Sequence, residues 1–185
     1  MNEKLMFSGP VGAGKTAAIR SISDIPVIAA ETAAADASTA RRPSTAATMD
    51  YGAVELDDGG KVHLYGLPGQ DRFRYIWDSA VPGGTGLIFL FDNAREDPLA
   101  DLGHYLGALK TLIAGIPVAI GVTRTDIAPK PRLPAYRTKI DEQGISAPVF
   151  EVDARKRADV KTLLLALLAT VDPGLGWGAP KQAEA

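Results

Sequence analysis

The chain contains no cysteine, which excludes disulfides and thiolate metal sites. That lack suits a reducing compartment, and the cytoplasm is the expected location. The two histidines, His63 and His104, are too few for a histidine metal centre and are read as structural. Long apolar runs are missing as well. No stretch reaches the ~18 residues of a membrane span, and MNEKLMFSGP carries too short an apolar run for a signal peptide. PKQAEA at the end has no cysteine to prenylate, and position 2 is Asn rather than Gly, so no lipid anchor is expected. No excess of one charge exists either: a net charge of −2 argues against a nucleic-acid binder, which shows a basic face. What remains, 46% hydrophobic and 23% charged residues over 185 positions, is the make-up of one soluble globular domain with a core of its own.

Short apolar runs alternate with helical patterns along the chain. KLMFS (4–8), GLIFLFD (86–92), IPVAIGV (116–122) and PVFEVD (148–153) read as strands, the middle two apolar throughout and so buried on both faces. AVEL (53–56) and KVHLY (61–65) flank DDGG (57–60), the signature of an antiparallel hairpin. Helical spacing covers 15–22, 73–80, 98–113, 134–142 and 159–171. This order predicts a three-layer α/β fold: a six-stranded, mostly parallel sheet with one antiparallel edge strand and helices on both faces. Residues 1–171 make the domain. Residues 172–185, rich in Pro and Gly, read as a flexible tail, and the small-residue stretch 29–47 reads as a long loop.

The strongest motif is GPVGAGKT, Gly9 to Thr16, which fits the phosphate-binding pattern GxxxxGK[ST]. A strand precedes it and a helical pattern follows, as the chemistry requires. Gly9, Gly12 and Gly14 let the backbone wrap a phosphate chain with its N–H groups inward, between Ala13 and Ala17. The helix that starts near Lys15 adds its positive end. Lys15 would bridge the outer phosphates, and the Thr16 hydroxyl would meet Mg²⁺.

Other segments add to this loop in a fixed order. They are a Thr-containing stretch, RRPSTAATMDYG (41–52), then GLPGQ (66–70), VTRTD (122–126) and DAR (153–155). With these, the chain from about 4 to 171 resembles the Ras-like small GTPases. Its Pro-Gly-Gln turn resembles the bacterial MglA-type, roadblock-associated members most closely. The resemblance implies roles by position. Gly69 would bind the γ-phosphate through its N–H, and Gln70 would orient the attacking water. Thr45 or Thr48 would serve Mg²⁺ from the first switch; Thr45 is preferred, since the family position, four before Asp50, is Ala46. Arg42, or its neighbour Arg41, would act as a finger in cis. Asp126 would accept hydrogen bonds from guanine, Arg124 would stack on the base, and Thr123 stands for the family's Asn. Asp153, Ala154 and Arg155 form the turn that meets guanine O6. An Asp at 126 also suits a helix N-cap.

Two departures stand out. Gly66 replaces the family's aspartate, so a weaker hold on Mg²⁺ is expected. Val11 adds bulk to the loop and favours slow hydrolysis. The resemblance thus implies a switch that binds GTP and GDP with Mg²⁺, hydrolyses GTP slowly, and is stimulated by a roadblock-domain (MglB-like) regulator. The second reading is a non-hydrolysing nucleotide-binding scaffold, which Gly66, Ala46 and Thr123 favour. A third, an ATP-using kinase, lacks a lid-like arginine cluster. The aromatic stripe Phe73, Ile76 and Trp77 reads as core, with a share in a partner surface.

Overall fold

The computed structural model describes residues 2–32, 47–56, 59–69, 74–81 and 83–171. In chain order the elements are β1 (Asn2–Ser8), α1 (Lys15–Ile22), β2 (Ile28–Thr32), β3 (Ala47–Glu55), β4 (Lys61–Gly66), α2 (Arg74–Ala80), β5 (Gly86–Asp92), α3 (Pro98–Leu109), β6 (Val118–Thr123), α4 (Leu133–Glu142), β7 (Val149–Glu151) and α5 (Arg157–Val171). They form one sheet in the order β2-β3-β4-β1-β5-β6-β7. All neighbours from β4 to β7 pair in parallel, while β3 is antiparallel to both β2 and β4.

The expected α/β architecture is present, with one strand more than the six read from the sequence. The start of the supposed long loop forms β2, so the antiparallel strand β3 lies one place in from the edge. Ile28–Thr32 has a single large apolar residue and therefore no period to read. Its order comes from backbone pairing with the open side of β3, Ile28 opposite Tyr51 and Thr32 opposite Ala47. Helix α3 ends at Leu109, not 113: the apolar stripe continues through buried Ile113, but the chain turns through Gly115 at φ +82°. The proposed tail, 172–185, lies outside the described residues.

Strand alternation divides the core between the two faces. Met6, Phe89, Phe91, Ile120 and Val122 pack under α2, α3 and α4, with Trp77, Leu106 and Tyr136. Leu5, Phe7, Ile88, Leu90 and Ala119 pack under α1 and α5, with Ile19, Val160, Leu163 and Leu167. Every residue of β5 and β6 is buried, as two helix-covered faces demand. The carboxyl ends of β1, β5 and β6 therefore open on one edge, where ligands gather in such sheets.

The Tyr51 hydroxyl lies 2.8 Å from His63 Nδ1, and His104 stands edge-on to Tyr105. Among the described residues no group of three or more His, Asp or Glu could hold a metal by itself, and no helix is long and apolar enough to cross a membrane.

Candidate functional site

β1 ends at Ser8 and the chain enters a loop with three glycines at positive φ: Gly9 (+128°), Gly12 (+83°) and Gly14 (+99°). At Gly9 the constraint is also steric, since a Cβ there would lie 2.1 Å from the Leu90 carbonyl oxygen. Gly14 starts α1 in the left-handed conformation, without a side-chain cap, and the first turn of α1 has no acidic residue. The amides of that turn are thus left for an external anion, and the helix end favours negative charge. The Lys15 ammonium folds over the loop and donates to the carbonyls of Gly9 and Pro10, both at 2.7 Å. Burial lowers its pKa to about 8, partly opposed by the carboxylate of Asp50. A buried ammonium resting on neutral carbonyls is short of counter-charge, which a phosphate supplies.

β3 and β4 bring a second group of residues to this loop. Thr16 Oγ1 donates to Asp50 Oδ2 at 2.5 Å. Beyond β4, the Leu67 amide donates to the Phe7 carbonyl at 2.7 Å, extending the ladder toward the loop. Gly69 then lies against the loop so closely that a Cβ would be 2.5 Å from Gly9 O and 2.7 Å from Val11 N. Two aromatic tips hold this turn from below. Trp77 Nε1 donates to Pro68 O at 3.0 Å, and the Tyr105 hydroxyl donates to Gly69 O at 2.6 Å. Neither was singled out for the site from the sequence. The available signal was Tyr105 on the buried stripe Leu102, Tyr105, Leu106, Leu109: a hydroxyl on an apolar face needs a partner.

The other half of the site belongs to β6 and β7. Thr123, 3% exposed, has its hydroxyl 3.0 Å from the Ala13 carbonyl and 3.2 Å from that of Phe91, tying the loop to the sheet. Arg124 takes a positive φ of 59°. Its guanidinium bonds Asp92 Oδ2 at 2.8 Å and reaches Gly12 O at 3.4 Å, so it lies beside the phosphate loop. Asp126 is mostly exposed and 3.9 Å from Arg155. It caps no helix: α4 begins at Leu133 and is preceded by Arg132, so that reading falls. Ala154 is buried, close enough to Gly14 that a Cβ there would be 3.1 Å from its own. Asp153 accepts two side-chain bonds from Arg155, at 2.8 and 2.9 Å, which hold its carboxyl well below the usual range.

Two adjoining clefts trace this arrangement. One of about 760 Å³ is lined by Arg124, Asp126, Ile127, Asp153, Ala154 and Arg155, among others. The other, about 600 Å³, lies over Gly12, Lys15, Thr16 and Arg20 and shares Gly14, Ala17 and Arg155 with the first. Gly9, Gly12, Ala13, Gly14, Lys15, Thr16, Ala17, Gly69, Thr123, Arg124, Asp126, Asp153, Ala154 and Arg155 thus converge on one edge of the sheet. Thr48 falls in β3, opposite Glu31. Gln70, Arg41, Arg42, Thr45 and Ala46 lie outside the described residues.

No family model matches the chain. The chain is similar to the Ras-related protein RABD2a of Arabidopsis thaliana, with 22% identity over 172 residues, covering 91% of this chain and 79% of the relative. This similarity, joined to the strand order and the glycine loop, supports a Ras-like small GTPase, and the fold is a Ras-like P-loop α/β fold.

Proposed function

We propose that this protein is a guanine-nucleotide switch that binds GTP with Mg²⁺ and hydrolyses it slowly to GDP. The observation that carries the reading is the continuity of the two clefts. A glycine loop with a counter-charge-poor Lys15 opens directly onto a cleft lined by Arg124, Asp126 and Ala154. The Asp126 carboxylate accepts from two guanine donors, N1–H and the exocyclic amine, which adenine does not present together. Arg124 offers a flat cation to stack on the base, and the Ala154 amide meets O6.

The residues present fit Mg²⁺. Thr16 would hold it through its hydroxyl oxygen, the kind of hard oxygen donor that Mg²⁺ prefers. When bound, the metal neutralises charge on the phosphates. Lys15 and the loop amides hold the β- and γ-phosphates, and Gly69 N–H meets the γ-phosphate. Gln70 orients a water whose oxygen bonds to the γ-phosphorus as the bond from phosphorus to the β–γ bridging oxygen breaks. That oxygen leaves with GDP, and the water's proton goes to the inorganic phosphate. Arg42 supplies positive charge in cis, and Thr45 serves the metal from the first switch. Val11 is 57% exposed at the loop, and its bulk in place of a glycine is the reason to expect slow intrinsic turnover. A roadblock-domain regulator of the MglB kind belongs to the same proposal, on the strength of the Pro-Gly-Gln turn.

The test is a titration with fluorescent GTP, GDP and ATP analogues, with and without Mg²⁺. Guanine selectivity lost in Asp126→Ala supports the reading; preference for ATP, or no nucleotide binding, overturns it. For turnover, phosphate release by the wild type is compared with Gln70→Leu, alone and with a roadblock protein. Equal rates throughout would leave a nucleotide-binding scaffold.

A further inference from the structure

We infer that Asp50 is the carboxylate of the magnesium site, delivered from β3 in place of the side chain that Gly66 lacks on β4. The inference deepens the GTP/Mg²⁺ reading and rests on it. Read along the chain alone, Gly66 is a lost metal tether. In the fold, Asp50 and Gly66 are direct cross-strand partners in the β3–β4 register.

The space around Gly66 shows that the two positions share one volume. A Cβ at Gly66 would lie 3.1 Å from Asp50 Cβ, 3.3 Å from Asp50 Oδ2 and 3.0 Å from Ile19 Cδ1. A carboxylate carried at 66 would therefore contend with the one at 50 for the same slot, and the two charges would repel. One acid fits, from either strand, and in this chain it comes from β3.

The chemistry at Thr16 points the same way. A threonine oxygen that ligates a cation turns a lone pair to the metal and must donate its proton elsewhere. Here Asp50 Oδ2 accepts that proton, at 2.5 Å. A carboxylate that holds a ligating group in this way orients it and raises its basicity, and also accepts from metal-bound water. Asp50 acts on Lys15 as well, where its negative charge favours the ammonium. It thus faces both side chains of the motif that meet phosphate and metal. Removing it leaves Thr16 without that acceptor and the metal site without its nearby protein carboxylate, while the loop amides still hold phosphate.

The experiment measures release of a fluorescent GDP analogue against free Mg²⁺, from EDTA to millimolar. Wild type, Asp50→Asn, Asp50→Ala, Gly66→Asp and the double variant Asp50→Gly/Gly66→Asp are compared. Asp50→Asn keeps the size of the side chain and separates loss of charge from loss of fold. Both Asp50 single variants are expected to need at least about tenfold more Mg²⁺ for half-maximal slowing of release, over and above any change in GDP affinity measured in EDTA. The double variant, which moves the acid across the strand pair, should recover most of that loss. Gly66→Asp alone should gain nothing. A wild-type Mg²⁺ midpoint in Asp50→Asn overturns the inference. So does an equal loss with and without Mg²⁺, which assigns Asp50 to the fold alone. If the wild-type protein binds no guanine nucleotide in EDTA or Mg²⁺, the functional reading itself fails; binding that Mg²⁺ does not alter overturns only the metal role.

Discussion

The phosphate half and the base half of the site are built by different means. Around β1, β3 and β4, backbone does most of the work: three positive-φ glycines, a Gly69 that admits no Cβ, and a lysine resting on carbonyls. Around β6 and β7, long exposed side chains line the cleft, with Arg124 52%, Asp126 67% and Arg155 74% exposed. The first half is rigid because each group is fixed by close contacts. The second is held by ion pairs that water weakens, so its side chains can rearrange around a ligand. A tightly packed half tolerates a lost side chain only where a neighbour fills the same space, as Asp50 does for Gly66. An exposed half tolerates replacement more freely, and the half-exposed Arg124 stands where the Ras-like small GTPases it resembles carry Lys.

The largest expected effect breaks the rigid half. Gly9→Ala drives a Cβ into the Leu90 carbonyl and demands a backbone conformation that alanine avoids. It should cost about 3 kcal/mol or more of stability, read as a lower denaturant midpoint, with nucleotide binding lost. A midpoint within error of wild type would show that the loop yields.

A smaller effect sharpens the electrostatic side of the comparison. Lys15 in the free protein has its pKa pushed down to about 8, and a bound phosphate raises it again. Binding therefore takes up a proton above about pH 8, and affinity should fall by up to roughly tenfold per pH unit there. Calorimetry in buffers of different ionisation enthalpy measures that uptake; no uptake at pH 9 contradicts it. The same lowered pKa makes the unfolded chain bind more protons between about pH 8 and the ordinary lysine range. Stability without nucleotide should thus rise with pH across that window, and Lys15→Met should flatten the rise.

The smallest effect belongs to the exposed half. Arg155→Ala removes an exposed side chain paired with Asp153 and Asp126. It should leave the melting temperature unchanged and weaken guanine-nucleotide binding less than Asp126→Ala does. A loss equal to that of Asp126→Ala would make the base half as tightly specified as the phosphate half.

Much of this was legible in the sequence, and for local reasons. Strand β5 and helix α1 were read at their observed bounds, because a continuous apolar run and a glycine loop followed by helical spacing are signals within a few residues. The fourteen described positions assigned to nucleotide also lie together, since each belongs to a motif at the end of a strand. The misses were non-local. β2 has no period of its own and takes its order from β3. The hydroxyls of Tyr105 and Thr123 find carbonyls 36 and 110 residues away. Gly66 was read as a vacancy because the residue beside it in space is sixteen positions earlier in the chain.

By itself, then, the sequence determined the alternation of strands and helices, the glycine loop and the acid at 126 that lines the adjoining cleft, because periodicity, glycine and motif spacing are written over short stretches. Only the tertiary structure decided which carboxylate stands beside Thr16. That choice depends on the register of β3 against β4, and register is fixed by how both strands bury their apolar faces together.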